Sequence, residues 1–306
     1  MSLVIVGNND GPLTLLRALK SVSHELLAIG LQKPISNELR RAYRELLPAE
    51  VSLWEGFGEL ELLDYLRDLS PSLLINCFCN FRFKLLLHQP YEVLNVHLAP
   101  LPRYRGRHPL QWALINGEQT FGLAVHRMVA AIDSGDILWR TQLPIIRGMS
   151  ARELRTALMG QLERGFGTFY QNYLAGKLKS LHYEKDDATY IPRRHATDAL
   201  LTEWHDRDMI YRKVMALRHD AHPAQLVYKF YHLPIAEARL TGQRYAAVIA
   251  PMVVRRLERG VRVVCLDGRT VDLLGFDPAA YGVRMNERVG SKEAASHRLQ
   301  ASSPHM

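Results

Sequence analysis

Two polar residues close an apolar run in EVLNVHL: Asn95 and His97. Side chains on a strand alternate faces, so these two point the same way while Val96 enters the core. One is a neutral hydrogen-bond donor, and the other donates, accepts or carries a proton near neutral pH. That pairing suits a reaction in which an oxyanion develops and a proton moves. Ordinary packing would also explain an isolated Asn-x-His, so the weight falls on a third residue. Asp133, in AAIDSGDIL, follows an apolar run and precedes Ser134-Gly135, where a tight turn would expose its carboxylate. A carboxylate near an imidazole fixes its tautomer and favours the imidazolium formed during proton transfer. The three groups together could polarise a carbonyl, stabilise a tetrahedral oxyanion and relay a proton. No side-chain nucleophile is required, so the nucleophile could come from the substrate.

Positioning such groups takes a sheet. Leu3–Val6, HELLAIG, SLLINCF and EVLNVHL read as strands, separated by the helical patterns PLTLLRALKSV, LRRAYRELLPAEV, LELLDYLRDLSP and a short KLLLHQP. This alternation predicts an α/β fold with a mostly parallel, Rossmann-like open sheet, whose ligands sit beyond the carboxyl ends of the strands. LQWALINGE then reads as a helix, TFGLAVHRMV and DILWRTQLPI as strands, and SARELRTALMGQLERGFGTFYQNYLAG as a long amphipathic helix ended by Gly176. The expected organisation is a catalytic domain over 1–185, a linker over 186–203, a small OB-like β-barrel over 204–287 and a disordered tail over 288–306. The barrel rests on AQLVYKF, YAAVIAP, VVRRLE, VRVVCLDG and TVDLLGF, which follow the helical RDMIYRKVMALRH.

The loop after His97, APLPRYRGRHP, is stiffened by Pro100, Pro102 and Pro109, and Gly106 permits a turn that other residues resist. A stiff loop loses little entropy on closing over a ligand. Arg103, Arg105 and Arg107 could meet a phosphate or carboxylate, with solvated surface arginine as the alternative. The turn GNNDGP is not a G-x-G-x-x-G fingerprint, although its amides at a helix start could hold an anion, which makes Gly7 and Asn8 candidates.

With 47% hydrophobic and 23% charged residues in 306, the chain has the composition of a soluble globular protein. No apolar run approaches the roughly 18 residues a membrane span needs, and MSLVIVGNND reads as a first strand and not as a signal peptide. Three cysteines cannot all pair with one another, which points to a reduced, cytoplasmic setting. Cys77-x-Cys79 lacks a second cluster of zinc spacing and DSGD lacks the remaining ligands of a calcium loop, so no metal is expected. The net charge of +8 suggests anionic partners: nucleic acid, a nucleotide-bearing substrate or a polyglutamylated cofactor. The excess is mostly C-terminal, since residues 188–306 hold 18 Lys/Arg against 12 Asp/Glu.

NVHLAPLPRYRG followed by AIDSGDIL resembles the formyltransferases that use 10-formyltetrahydrofolate, whose pattern is Asn-x-His, a proline-rich loop ending in Arg-Gly, and a downstream Asp-x-Gly. The likeness covers roughly residues 1–183 and continues more weakly through ATYIPRR and EWHDRDMIYRKVMALR. It departs at Ala99-Pro100, where Ser-Leu is usual. The resemblance implies that His97 transfers the proton, Asn95 helps bind the oxyanion and Asp133 orients His97. It further implies that CFCNFRFK reads the pterin ring, with Phe81, Arg82 and Phe83 as candidates beside the backbone of Val129, Ala131 and Ile132. Core packing is the alternative for the two phenylalanines. Arg103, Tyr104, Arg105, Gly7 and Asn8 are the candidates for the acceptor.

The acceptor expected is a primary amine, an amino sugar on a nucleotide carrier, because PRYRGRHPLQWALINGE is similar to the sugar enzymes. Methionyl-tRNA, another small amine and plain hydrolysis of the donor stay open, as does a non-enzymatic binding module. The tRNA enzymes carry a long basic, glycine-rich insertion soon after the second strand, where this chain has only GLQKPISNELRRAYRE. A homodimer is compatible with the resemblance.

Overall fold

The computed structural model describes residues 1–181, 183 and 185–290. The expected tail lies outside the described residues from position 291 onward. Its described residues fold as two compact units, one within Met1–Pro109, Thr120–Pro144 and Arg155–Pro192, the other within Leu110–Gln119, Ile145–Leu154 and the described residues from Arg193 to Gly290.

The first unit holds β1 (Ser2–Gly7), α1 (Gly11–Leu19), β2 (Glu25–Gln32), α2 (Asn37–Leu46), β3 (Ser52–Gly56), α3 (Glu59–Leu69), β4 (Leu73–Cys77), β5 (Glu92–His97) and the two-residue β6 (Arg105–Gly106). After α4 (Pro109–Asn116), which from Leu110 on belongs to the second unit, come β7 (Thr120–Arg127), β8 (Ile137–Pro144), the long α5 (Ala151–Leu174), whose first four residues also belong to the second unit, and β9 (Tyr190–Ile191). Seven strands form one sheet in the order β3-β2-β1-β4-β5-β7-β8. β1 to β5 run parallel, and β7 and β8 return antiparallel. β1 and β4 are buried on both faces, as central parallel strands must be, and for that reason they read as continuous apolar runs.

The topology follows the expected α/β class, with local differences. β3 (SLWEG) carries a glutamate and half-buried positions, so it gives no apolar run to recognise. KLLLHQP shortens to a single 3-10 turn, Leu86–His88. Part of the stretch expected to be a linker is ordered against the loop that follows β5. Tyr190–Ile191 pairs in parallel with Arg105–Gly106, and Thr189 receives the backbone N–H of Tyr104 on Oγ1 and that of Arg105 on its carbonyl, both at 2.9 Å.

In the second unit α6 (Arg207–Ala216) follows its N-cap Asp206, whose carboxylate accepts from the Asp208 N–H at 2.9 Å. β10 (Gln225–Tyr228) and β11 (Tyr231–Pro234) make a hairpin. β12 (Glu237–Arg244), β13 (Met252–Leu257), β14 (Gly260–Val264) and β15 (Arg269–Leu274) make an antiparallel sheet in the order β12-β15-β14-β13. Among the described residues no pairing joins β12 to β13, so the expected barrel takes the form of an open four-stranded sheet and a separate hairpin. YAAVIAP is not a strand: it is irregular, and Ile249 is 84% exposed. The strand there is the polar EARLTGQR, held by its ladder to β15. Of the aromatics beside Lys229, Tyr228 is buried and donates to the Gly282 carbonyl at 3.1 Å, while Phe230 stays exposed at the hairpin tip.

Candidate active site

Register builds the site. Asn76 on β4 pairs with Asn95 on β5, and Asn95 pairs with His126 on β7. Residues directly opposite on adjacent strands share a face, so three polar side chains form a row across the sheet near the carboxyl end of β5. All three are buried: Asn76 is 6% exposed, Asn95 8% and His126 2%. Buried polar groups need partners, and here each supplies the next. The Cys79 N–H donates to Asn76 Oδ1 at 3.1 Å, and Asn76 Nδ2 donates to Asn95 Oδ1 at 2.7 Å. Asn95 Nδ2 lies 2.9 Å from His126 Nε2, whose Nδ1 lies 2.8 Å from the Arg127 carbonyl.

His97 lies two residues beyond Asn95 on the same face, as its spacing predicted. Its Nε2 is 3.0 Å from the Tyr104 carbonyl. A carbonyl only accepts, so Nε2 carries the hydrogen and Nδ1 keeps the lone pair in the neutral ring. Nδ1 faces Asp133 Oδ2 at 3.7 Å, beyond a direct hydrogen bond but within strong Coulomb range. Asp133 Oδ1 lies 3.6 Å from His126 Nε2. Burial pulls His97 below the ordinary imidazole range; the Asp133 charge and the Tyr104 carbonyl oppose that, and His126 adds to it. Burial alone would raise Asp133, but the nearby imidazoles of His126 and His97 and the Gly106 N–H outweigh it and bring the carboxyl down to about 2. The result at neutral pH is an ionised Asp133 facing a neutral His97 with an available lone pair.

Asp133 has φ +50°, the left-handed conformation expected of a tight turn, and its Oδ2 accepts the Gly106 N–H at 2.9 Å. Gly106 has φ +107°, and a Cβ there would stand 2.4 Å from the Ile191 carbonyl oxygen. Only glycine lets β6 meet β9 while presenting its amide to the carboxylate. Gly106→Ala is therefore expected to weaken this junction and lower activity, with a destabilisation of about 1–3 kcal/mol read from urea unfolding.

The acceptor candidates separate. Arg103 is exposed, as is Arg107, whose Nη2 donates to the Asn80 carbonyl at 2.6 Å. Tyr104 and Arg105 are buried instead, against the expectation of a surface loop. The Tyr104 ring packs edge-on against Phe121 at 5.2 Å. Arg105 lies 5.4 Å from the Tyr183 and Tyr190 ring centroids and donates to both hydroxyls, at 2.8 and 2.9 Å. These contacts tie Arg105 to the loop. In GNNDGP several amides are engaged within the protein. The Gly11 amide donates to the Asn8 carbonyl, that of Leu13 to the Tyr43 hydroxyl and that of Thr14 to the Asp10 carbonyl, and Pro12 has none. Gly7 is buried where a Cβ would stand 2.2 Å from the Cys77 carbonyl oxygen, so close packing accounts for it. Asn8 is half-buried and spends its N–H on that same carbonyl, at 3.1 Å.

Of the ring-binding candidates, Phe83 is 6% exposed within the cluster of Val4, Leu62, Leu66, Leu74 and Leu86. It is a core residue. Phe81 is half-buried with its ring 5.2 Å from Phe83, and Arg82 is exposed. Val129, Ala131 and Ile132, immediately before Asp133, are exposed too, with Ile132 at 50%. Phe83→Ala is expected to cost about 3–5 kcal/mol of stability, whereas Arg82→Ala should stay within about 0.5 kcal/mol; urea titration compares the two.

Among the described residues no competing nucleophile emerges nearby. Burial pushes the Cys77 and Cys79 thiols well above their ordinary range, and Ser134 donates its hydroxyl to the Ile132 carbonyl at 2.9 Å. An imidazole with a free lone pair, a carboxylate and an amide donor thus gather near the carboxyl end of β5. Residues 33–166 match the family model described as formyl transferase. The N-formyltransferase from Helicobacter canadensis, solved with folinic acid and dTDP-3-aminofucose, matches with a TM-score of 0.66 at 18% identity, over 89% of this chain and 98% of its own. WlaRD, a sugar 3N-formyl transferase solved in the presence of dTDP and 5-N-formyl-THF, gives 0.66 at 16%, over 90% and 97%. Methionyl-tRNA formyltransferase from Clostridium thermocellum gives 0.55 at 16%, over 79% and 94%. At such identities the likeness establishes a shared fold. His126 and Asn76 were not singled out from sequence, because only strand register brings them to Asn95.

Proposed function

We propose that this protein transfers a formyl group from 10-formyltetrahydrofolate to the primary amine of a nucleotide-linked amino sugar. The observation that carries the reading is the convergence of Asn95, His97 and Asp133 at the end of β5 with no side-chain nucleophile beside them. In this reading the amine attacks the formyl carbon, His97 Nδ1 takes the proton the amine sheds, and Asp133 stabilises the imidazolium. Asn95 donates its second N–H, which has no protein acceptor among the described residues, to the developing oxyanion. Half-buried Phe81, exposed Arg82 and the exposed Val129–Ile132 segment next to Asp133 in the chain are the candidates for contacts to the fused ring of a folate. His97 then returns its proton to the departing nitrogen, and formate-level carbon stays on the sugar.

Two considerations favour a sugar over tRNA. The structures matching at TM-score 0.66 are an N-formyltransferase solved with an amino sugar nucleotide and a sugar formyl transferase. The connection from β2 to α2 is only residues 33–36, with no room for a basic insertion, and Arg40 on α2 is committed to Glu55 through bonds of 2.6 and 2.8 Å. The test offers deoxythymidine- and uridine-diphosphate amino sugars beside methionyl-tRNA, with 10-formyltetrahydrofolate as donor. Turnover on an amino sugar supports the reading; turnover on methionyl-tRNA alone moves the acceptor and keeps the chemistry. Formate release without transfer makes the protein a hydrolase.

A further inference from the structure

We infer that His126 is the positioning residue that orients Asn95 for the oxyanion, acting through its unprotonated Nε2; the inference rests on the formyl-transfer reading above. The argument is one of hydrogen-bond polarity. The row Cys79 N–H, Asn76, Asn95, His126, Arg127 carbonyl begins at a group that only donates and ends at one that only accepts. Every link between is thereby directed. Asn76 must present Oδ1 to Cys79 and so offers Nδ2 to Asn95. Asn95 must accept on Oδ1 and so turns Nδ2 toward His126. His126 must feed the Arg127 carbonyl from Nδ1 and so has only a lone pair at Nε2, 2.9 Å from Asn95 Nδ2.

The opposite histidine tautomer would set two donors face to face at that distance and leave a buried carbonyl unfed, at a cost of about 1–3 kcal/mol for each unsatisfied group. The Asn95 amide cannot flip either, since it would bring two N–H groups together against Asn76. One N–H of Asn95 is consumed by His126, and amide planarity then fixes the direction of the other. That second N–H is the group the proposed mechanism uses. His126 touches neither reactant in this account; it holds the donor that does.

The test is a substitution series with two readouts. His126→Gln can place a side-chain oxygen near the position of Nε2, whereas His126→Asn reaches only the position of Nδ1, and His126→Phe keeps the ring and supplies no acceptor. With 10-formyltetrahydrofolate and the acceptor found above, the Asn and Phe variants should lose about 100-fold in kcat, with KM for both substrates within about twofold. The Gln variant should recover at least about tenfold over Phe. A purely structural role would lower all three without regard to acceptor position, and equal activity of Gln, Asn and Phe overturns the inference. Nitrogen NMR on histidine-labelled wild-type protein reads the tautomer without any turnover: a proton on Nδ1 of neutral His126 supports the inference, and one on Nε2 overturns it. Absence of both transfer and formate release in wild-type protein would instead sink the formyl-transfer reading, together with the catalytic consequence drawn for His126, whatever the tautomer.

Discussion

His97→Gln is expected to lower kcat by about 10³-fold while leaving affinity for the folate donor within a few-fold. General acid–base groups contribute about 10²–10⁴, and the upper part of that range applies because the His97 Nδ1 lone pair faces the Asp133 carboxylate while that of His126 Nε2 is taken up by Asn95. Glutamine is the informative replacement. His97 has two roles in the proposed mechanism, since Nε2 holds the Tyr104 carbonyl and Nδ1, facing Asp133, is the proposed base. Alanine removes both and leaves a buried carbonyl unsatisfied, which would loosen the loop and confuse binding with chemistry. A glutamine amide can still donate to Tyr104, so the loop keeps its anchor and only the base is lost. The check is steady-state kinetics beside equilibrium donor binding for wild type, His97→Gln and His97→Ala. Gln should bind donor like wild type and turn over like Ala. If Gln retains activity within about tenfold, proton transfer runs through another group and the assignment of His97 fails.

What could be read from the sequence followed chemical locality. Asn95 and His97 were legible because period 2 puts them on one face at the end of a recognisable apolar strand, and Asp133 because Ser-Gly after an apolar run marks a turn. The partners of Asn95 were not. Asn76 and His126 lie 19 and 31 residues away along the chain, on strands whose neighbour relation depends on crossovers and on an antiparallel return that no local pattern encodes. The loop misled in a different way. Arginine and tyrosine in a proline-rich segment suggest exposure, yet Arg105 is covered because Tyr183 and Tyr190, some eighty residues on, fold over it. A long-range contact reversed the local expectation there. In the second unit the apolar YAAVIAP outweighed the polar EARLTGQR as a strand candidate, although backbone pairing to β15 decided the matter. Strand identity at a sheet edge is set by the ladder more than by side-chain polarity.

Asp133→Asn should change the pH dependence in a direction that distinguishes an electrostatic partner from a mere spacer. The base works when His97 is neutral, so kcat/KM rises with pH through the His97 pKa, which burial holds below the ordinary imidazole range, and is flat above it until another group titrates. The Asp133 charge opposes burial and raises that pKa. Removing the charge therefore lets burial act with less opposition, and the acidic limb moves to lower pH. The plateau moves the other way. Two unit charges about 4 Å apart attract by about 4 kcal/mol at an effective dielectric of 20, an upper bound on what the imidazolium loses, so the plateau should fall by about 10²–10³. The asparagine oxygen can still accept from Gly106, which preserves the turn. Stability argues separately: a carboxyl held at about 2 contributes stability above its unfolded pKa near 4 and loses it as pH falls toward 2, so the variant should be less sensitive to acid unfolding. Profiles of kcat/KM for both proteins decide the catalytic point. A limb that stays in place assigns the titration to some group other than His97, and a limb that moves upward would require the carboxylate to disfavour the imidazolium, contrary to the charge pairing on which the mechanism depends.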